Sequence, residues 1–217
     1  MFNLCIVNQI IEHIDKKEAI LTVAEKLFSE QDFDAVSVRD LAKEANVNIA
    51  MISYYFGSKE KLFEVLITRR LEESQGNIKD IVSRDKPILE KMYDIIDYHI
   101  DKFINNMAFQ KMINREMSLD SRPHVRELII EKIKTNKQYS KTLLKEEISK
   151  GNISPDIDME MLLMSFFATM YQLSSAPHFS CQILGKKKPE DLRTPEFIER
   201  IRQYFKNNIK NLLTTNH

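Results

Sequence analysis

The chain has 217 residues, 43% hydrophobic and 29% charged, which is enough to bury a core and excludes a disordered tail. Lys plus Arg and Asp plus Glu both number 32, so the formal charge is zero and neither a wholesale polybasic binder nor an acidic tail protein fits. Four glycines and six prolines leave little turn chemistry for a sheet fold, and two cysteines, Cys5 and Cys181, cannot build a disulfide framework.

Residues 1–14 carry no basic start and no small-residue cleavage site, so no signal peptide is expected. Ile20, Val23, Ala24, Leu27 and Phe28 recur at helical spacing, and the helix they predict ends near Gln31 and Asp32. Ser37 and Asp40 form a capping-box pattern before Val38, Leu41, Ala42 and Ala45. After the turn Ala45-Asn46-Val47, Asn48 can cap a short helix through Ile52 to Phe56. Gly57-Ser58 breaks it, and Ser58 can cap a longer helix carrying Leu62, Phe63, Val65 and Leu66.

From Pro87, the residues Leu89, Met92, Tyr93, Ile96, Ile100, Phe103 and Met107 predict one continuous helix, and another spans about Pro123 to Lys150, stopped by Gly151 and Pro155. Asp158 opens the most apolar stretch, Met161 to Ala176, which falls short of the ~20 residues that cross a bilayer and reads as a buried helix. Pro177 to Arg193 is a looser stretch with the basic run Lys186-Lys187-Lys188. Thr194-Pro195 then caps a last helix with Phe197, Ile201, Tyr204, Phe205, Ile209 and Leu212 on one face. The reading is all-α, roughly nine helices, in a reducing cytoplasm with no membrane span.

Two short helices joined by a three- or four-residue turn, within residues 16–56, make a helix-turn-helix pattern. Val47, Ile52 and Phe56 can face inward while Asn48, Ala50, Met51, Ser53, Tyr54 and Tyr55 face outward, as a DNA-reading helix requires. Spacing alone leaves two alternatives open: an ordinary α-hairpin in a bundle, and a helical protein–protein interaction module that reads no DNA.

Residues 17–67 carry Ala24-x-x-Leu27-Phe28, Ser37-Val38, Leu41-Ala42, Ala45-Asn46-Val47 and Tyr55-Phe56-Gly57-Ser58-Lys59-Glu60-x-Leu62. In these motifs the segment resembles the DNA-binding domain of the tetracycline-repressor (TetR) family. The resemblance implies an N-terminal helix-turn-helix domain over 1–57 and a larger helical effector-binding and dimerisation domain over 58–217. It further implies a homodimer on double-stranded operator DNA, a small-molecule effector, and no cofactor. The family usually has glycine where Asp32 and Asn46 stand, at turns that favour a left-handed backbone, which Asp and Asn tolerate best among other residues. It usually has tyrosine at Ser53.

By that resemblance Arg39 is placed to read a guanine edge. Ser37, Ser53, Tyr54, Tyr55 and Lys59 are placed to hold phosphates, Asn48 lies on the reading face, and Ile49, Ala50 and Met51 can meet thymine methyls. From Ser37 to Lys61 the net charge is only +1, a faint basic footprint. The last two long helices are implied as the pairing surface. Tyr93, Phe103, Met107, Met112, Met117, Phe166, Met170 and Tyr171 are the candidates to line an effector cavity, because methionine and aromatic side chains adapt to irregular apolar ligands. The five histidines show no metal spacing, and no glycine-rich phosphate loop or nucleophile motif is present, so neither a metal site nor an enzyme is expected.

Overall fold

A computed structural model describes the backbone of residues 2–151, 153 and 158–214, and side chains from residue 15 onward except 136, 137, 139, 140, 159 and 214. Pro155, His217 and the side chains of Cys5 and His13 lie outside the described residues. The described residues form ten α-helices and no strand. They are α1 (Phe2–Glu30), α2 (Val38–Glu44), α3 (Ile49–Phe56), α4 (Lys59–Ser83), α5 (Ile88–Asn105), α6 (Met107–Ser118), α7 (Pro123–Ser149), α8 (Met159–Ser175), α9 (Pro177–Leu184) and α10 (Pro195–Thr214). Two 3-10 turns, Phe33–Ala35 and Pro189–Arg193, join α1 to α2 and α9 to α10.

The capping residues place these elements as the sequence predicts. Ser37 and Asp40 exchange backbone and side-chain bonds at 3.0 and 3.1 Å, which completes the capping box. Asn48, Ser58, Asp158 and Thr194 each accept from a backbone N–H inside the helix they open. Asn46 takes the left-handed backbone expected of it, with φ of 52°. Gly57, at φ 82°, lets α3 turn sharply into α4.

Three expectations are corrected. Asp32 is extended (φ −67°, ψ 143°) rather than left-handed. The reason lies in α6: Arg115 donates to the carbonyls of Phe28 and Gln31 and pairs with Asp32 at 3.0 Å, so a side chain from far along the sequence satisfies the end of α1. The helix expected to run through Met107 breaks at Asn106, whose side chain accepts from Arg70 and donates to the Lys102 carbonyl. The stretch after Pro177 is not loose: it forms α9, closed by Gly185 with φ 66°.

Two cores result. The first buries Ile20, Ala24 and Phe28 of α1, Leu41 of α2, Ile52 and Phe56 of α3 and Leu62, Phe63, Leu66 and Ile67 of α4, and continues into Met112 of α6 and Ile129 of α7. At its centre Phe28, Phe33 and Phe63 pack with ring centroids 5.0–5.3 Å apart. The second core, built from the far end of α4 with α5, α8 and α10, centres on Ile96, Ile100, Phe166 and Phe205. The head's core therefore does not stop at residue 57.

One ion pair is buried where head and body meet. Glu116, 1% exposed, accepts two bonds from Arg122, at 2.9 Å from Nε and 2.8 Å from Nη2. Arg122 also reaches Asp34 at 3.2 Å and lies 4.5 Å from the Phe33 ring centroid. Removing one partner strands the other charge away from water. Arg122→Met is expected to lower unfolding free energy by about 3–5 kcal/mol, whereas the double change Glu116→Met with Arg122→Met recovers much of that loss. Chemical denaturation of the two variants checks this.

Candidate nucleic-acid interface

The face of α3 turned away from the core is continuous. Ile49, Ala50, Ser53 and Tyr54 are exposed, Tyr54 by 72%, while Ile52 and Phe56 are buried in the first core. Period and capping account for this: Asn48 fixes where the helix starts, and the i, i+3, i+4 rule then assigns each position to a face. Arg39 and Lys43 are exposed on the neighbouring α2, and Arg39 makes no ion pair among the described residues.

Several side chains expected to touch phosphate are occupied within the head. Ser37 gives its hydroxyl to Asp40 at 2.5 Å, and those bonds hold the Asp40 carboxyl below its ordinary range. Lys59 turns inward: its ammonium donates to the carbonyls of Phe33 and Val36, both at 2.9 Å, and lies 4.2 Å from the Phe33 ring centroid. Tyr55 points inward rather than outward and is half-buried against the first core, because it shares the face of Ile52 and Phe56. Met51 is half-buried as well. Lys26 and Lys61 are paired with Glu44 and Glu64.

Residues 20–66 match the model of the tetR family of bacterial regulatory proteins. Among curated proteins, Bacillus subtilis YttP, named as an HTH-type transcriptional regulator, is 33% identical over 115 residues, which is 50% of this chain and 53% of YttP. The chain thus spans about half the length of that relative. The Escherichia coli K12 regulator UidR is 24% identical over 147 residues, 65% of this chain and 71% of UidR. Among solved structures, Bacillus subtilis FadR in complex with stearoyl-CoA superposes with a TM-score of 0.67 at 18% identity, covering 92% of this chain and 99% of FadR. Salmonella enterica GusR gives 0.66 at 21%, covering 90% and 95%.

The chain carries a TetR-family DNA-binding head over residues 20–66. Its architecture, a small helix-turn-helix head on a larger helical body, is the TetR architecture. Its relatives are named as regulators, not enzymes. No helix among the described residues is long and apolar enough to cross a membrane.

In the body, the eight candidate effector residues do not line one cavity. Phe103, Phe166 and Met170 lie in the second core and Met107 at its edge, while Met112 is buried in the first core with Met117 packed against it. Tyr93 is half-buried with the Lys206 ammonium 5.3 Å from its ring centroid, and Tyr171 is 44% exposed. A surface cleft of about 370 Å³ between α1 and α4, lined by Glu18, Glu25, Arg69 and Arg70, contains none of the eight.

No local pattern in the sequence marks the residues that hold the head on the body: Arg115, Glu116 and Arg122. Arg115 and Arg122 reach head residues more than eighty positions away along the chain, beyond the reach of any local pattern, while Glu116 holds Arg122 in place.

Two substitutions separate surface from scaffold. Tyr54→Ala is expected to leave unfolding free energy within about 0.5 kcal/mol of the parent. Lys59→Met removes two partly buried bonds and is expected to cost about 1–3 kcal/mol by denaturant titration.

His99 offers a pH test of the second core. Its ring packs against Phe166 and Phe167, and burial, reinforced by Lys102, lowers its pKa to about 4. The unfolded chain, with an ordinary histidine near ~6.5, then binds more protons between the two values, so stability falls as pH drops through that window. His99→Phe is expected to shrink the stability lost between pH 7 and pH 4.5 by about 2 kcal/mol, read from denaturation at both pH values.

Proposed function

We propose that the protein is a cytoplasmic, homodimeric transcriptional repressor that grips a palindromic operator and is released by a small-molecule ligand. The observation that carries this reading is the exposed face of α3, flanked by Arg39 on α2, on a head of the TetR family. In this reading α3 enters the major groove, Arg39 reads a guanine edge, and Tyr54 contacts the sugar-phosphate backbone.

Dimer formation is supported by an apolar stripe without cover in the monomer. Met161, Met164, Phe167 and Tyr171 are 44–64% exposed along α8, and Tyr204 and Leu212 are exposed on α10. Such a patch on a soluble chain marks an interaction surface, and a two-fold pairing of α8 and α10 would make it a four-helix core. Two heads then meet two half-sites.

Ligand release needs a path from the body to the head, and neighbours on α6 supply one. Asn114 donates to Ser174 and Ser175 at the end of α8, at 3.2 and 3.3 Å, while Arg115 holds the end of α1. A shift of α8 is therefore felt by the head through a single helix. The FadR structure in complex with stearoyl-CoA supports an apolar effector for this body too. A ligand switches the protein only if it prefers the conformation that cannot span the operator.

Selection from randomised duplex DNA tests the reading. The parent is expected to enrich an inverted repeat, and Tyr54→Ala to lose it. With Arg39 and Lys43 as the exposed cations of α2 in each head, the logarithm of affinity is expected to fall with the logarithm of salt at a slope of about −4 for the dimer. Met164→Glu is expected to yield monomers by analytical ultracentrifugation and to weaken operator binding at least tenfold. A folded parent that enriches no sequence would overturn the proposal.

A further inference from the structure

We infer that α3 reads its half-site chiefly through thymine methyl groups, with Ile49 as the specificity-determining side chain. The inference rests on the DNA-reading role proposed above and names what that surface recognises.

α3 lacks every side chain that reads a base bidentately. Its sequence, Ile-Ala-Met-Ile-Ser-Tyr-Tyr-Phe, contains no Arg, Lys, Asn, Gln, Asp or Glu. Those are the side chains that pair bidentately with guanine or adenine, or accept from cytosine, in the major groove. Asn48 lies just outside the helix, but its Oδ1 accepts from the Ala50 N–H at 2.9 Å. Pairing with adenine needs the donor and the acceptor of the same amide, and the cap already holds that acceptor against the backbone at the helix start.

Beyond the hydroxyls of Ser53 and Tyr54, what the N-terminal half of α3 presents is apolar. Ile49 stands in the first turn, the part of a recognition helix that reaches base edges, and is 45% exposed. Ala50 is exposed beside it, with no long side chain to keep a base at a distance. Tyr54, one turn beyond Ala50, packs edge-on to Tyr55 with centroids 5.2 Å apart. Isoleucine left in water gains by covering a methyl group, and thymine is the base that offers one in the major groove. The hydrogen-bonding reader, Arg39, is on α2, so the head divides the work: α2 addresses a guanine and α3 addresses thymines.

The test uses the enriched operator with each thymine of one half-site replaced in turn by deoxyuridine, which removes only the 5-methyl group. The parent protein is expected to lose about fourfold in affinity at one or two positions, the effect of one buried methyl, and nothing at uridines placed in the flanks. Ile49→Ala, folded by circular dichroism, is expected to bind the thymine and uridine forms of those positions equally. Uridine operators bound like the parent operator at every position would overturn the inference while leaving operator reading intact. So would an Ile49→Ala protein with undiminished sensitivity to uridine. A folded dimer that enriches no sequence is a different failure, because it removes DNA reading itself.

Discussion

Phe33 is the residue on which the rest of the head depends. It lies in the short turn between α1 and α2, with its ring against Phe28 and Phe63 and the cations of Lys59 and Arg122 both close to it. Each contact ties a different segment to the same ring: α1 by Phe28, the start of α4 by Phe63 and Lys59, and the start of α7 by Arg122. Cation–ring contacts gain strength as water is excluded, and here both cations are further held by hydrogen bonds. A helix-turn-helix this small could not fix the angle of α3 alone. Anchoring α4 and α7 to the same ring supplies that rigidity.

From this constraint the functional geometry follows. The head's core runs into α6 and α7, so α3 is held by the body as well as by its own short neighbours. Arg115 and the Glu116–Arg122 pair sit at the seam, and Asn114, adjacent to Arg115, bonds the end of α8. The apolar stripe of α8 is thus joined through α6 to the end of α1, the first helix of the head. A buried ion pair suits such a seam: it tolerates little displacement, so motion of α6 moves the head as a unit rather than deforming it.

Much of this was legible in the residues. Helix starts were marked by side chains whose chemistry is local, as Ser37, Asn48, Ser58, Asp158 and Thr194 show. The outward face of α3 followed from its period, with Tyr55 misassigned because it lies at the boundary of that face, one position from Tyr54 on the exposed side and from Phe56 in the core. What the sequence could not show was non-local. Lys59 matches a family motif, yet its ammonium is taken by carbonyls more than twenty residues earlier. Asp32 looked like a left-handed turn because nothing nearby announced that Arg115 would cap α1 instead. The effector candidates were chosen by residue type, and type does not distinguish a side chain in the first core from one in the second.

Native-state hydrogen exchange tests the central claim, that head and body share one core, most directly. If α1, the start of α4, α6 and α7 are one cooperative unit, their slowest amides exchange with a common opening free energy and respond together to denaturant. Head amides of α1 to α3 that open at markedly lower free energy than those of α6 and α7 would contradict the account, since the head would then be an independent module carried by the body rather than positioned by it.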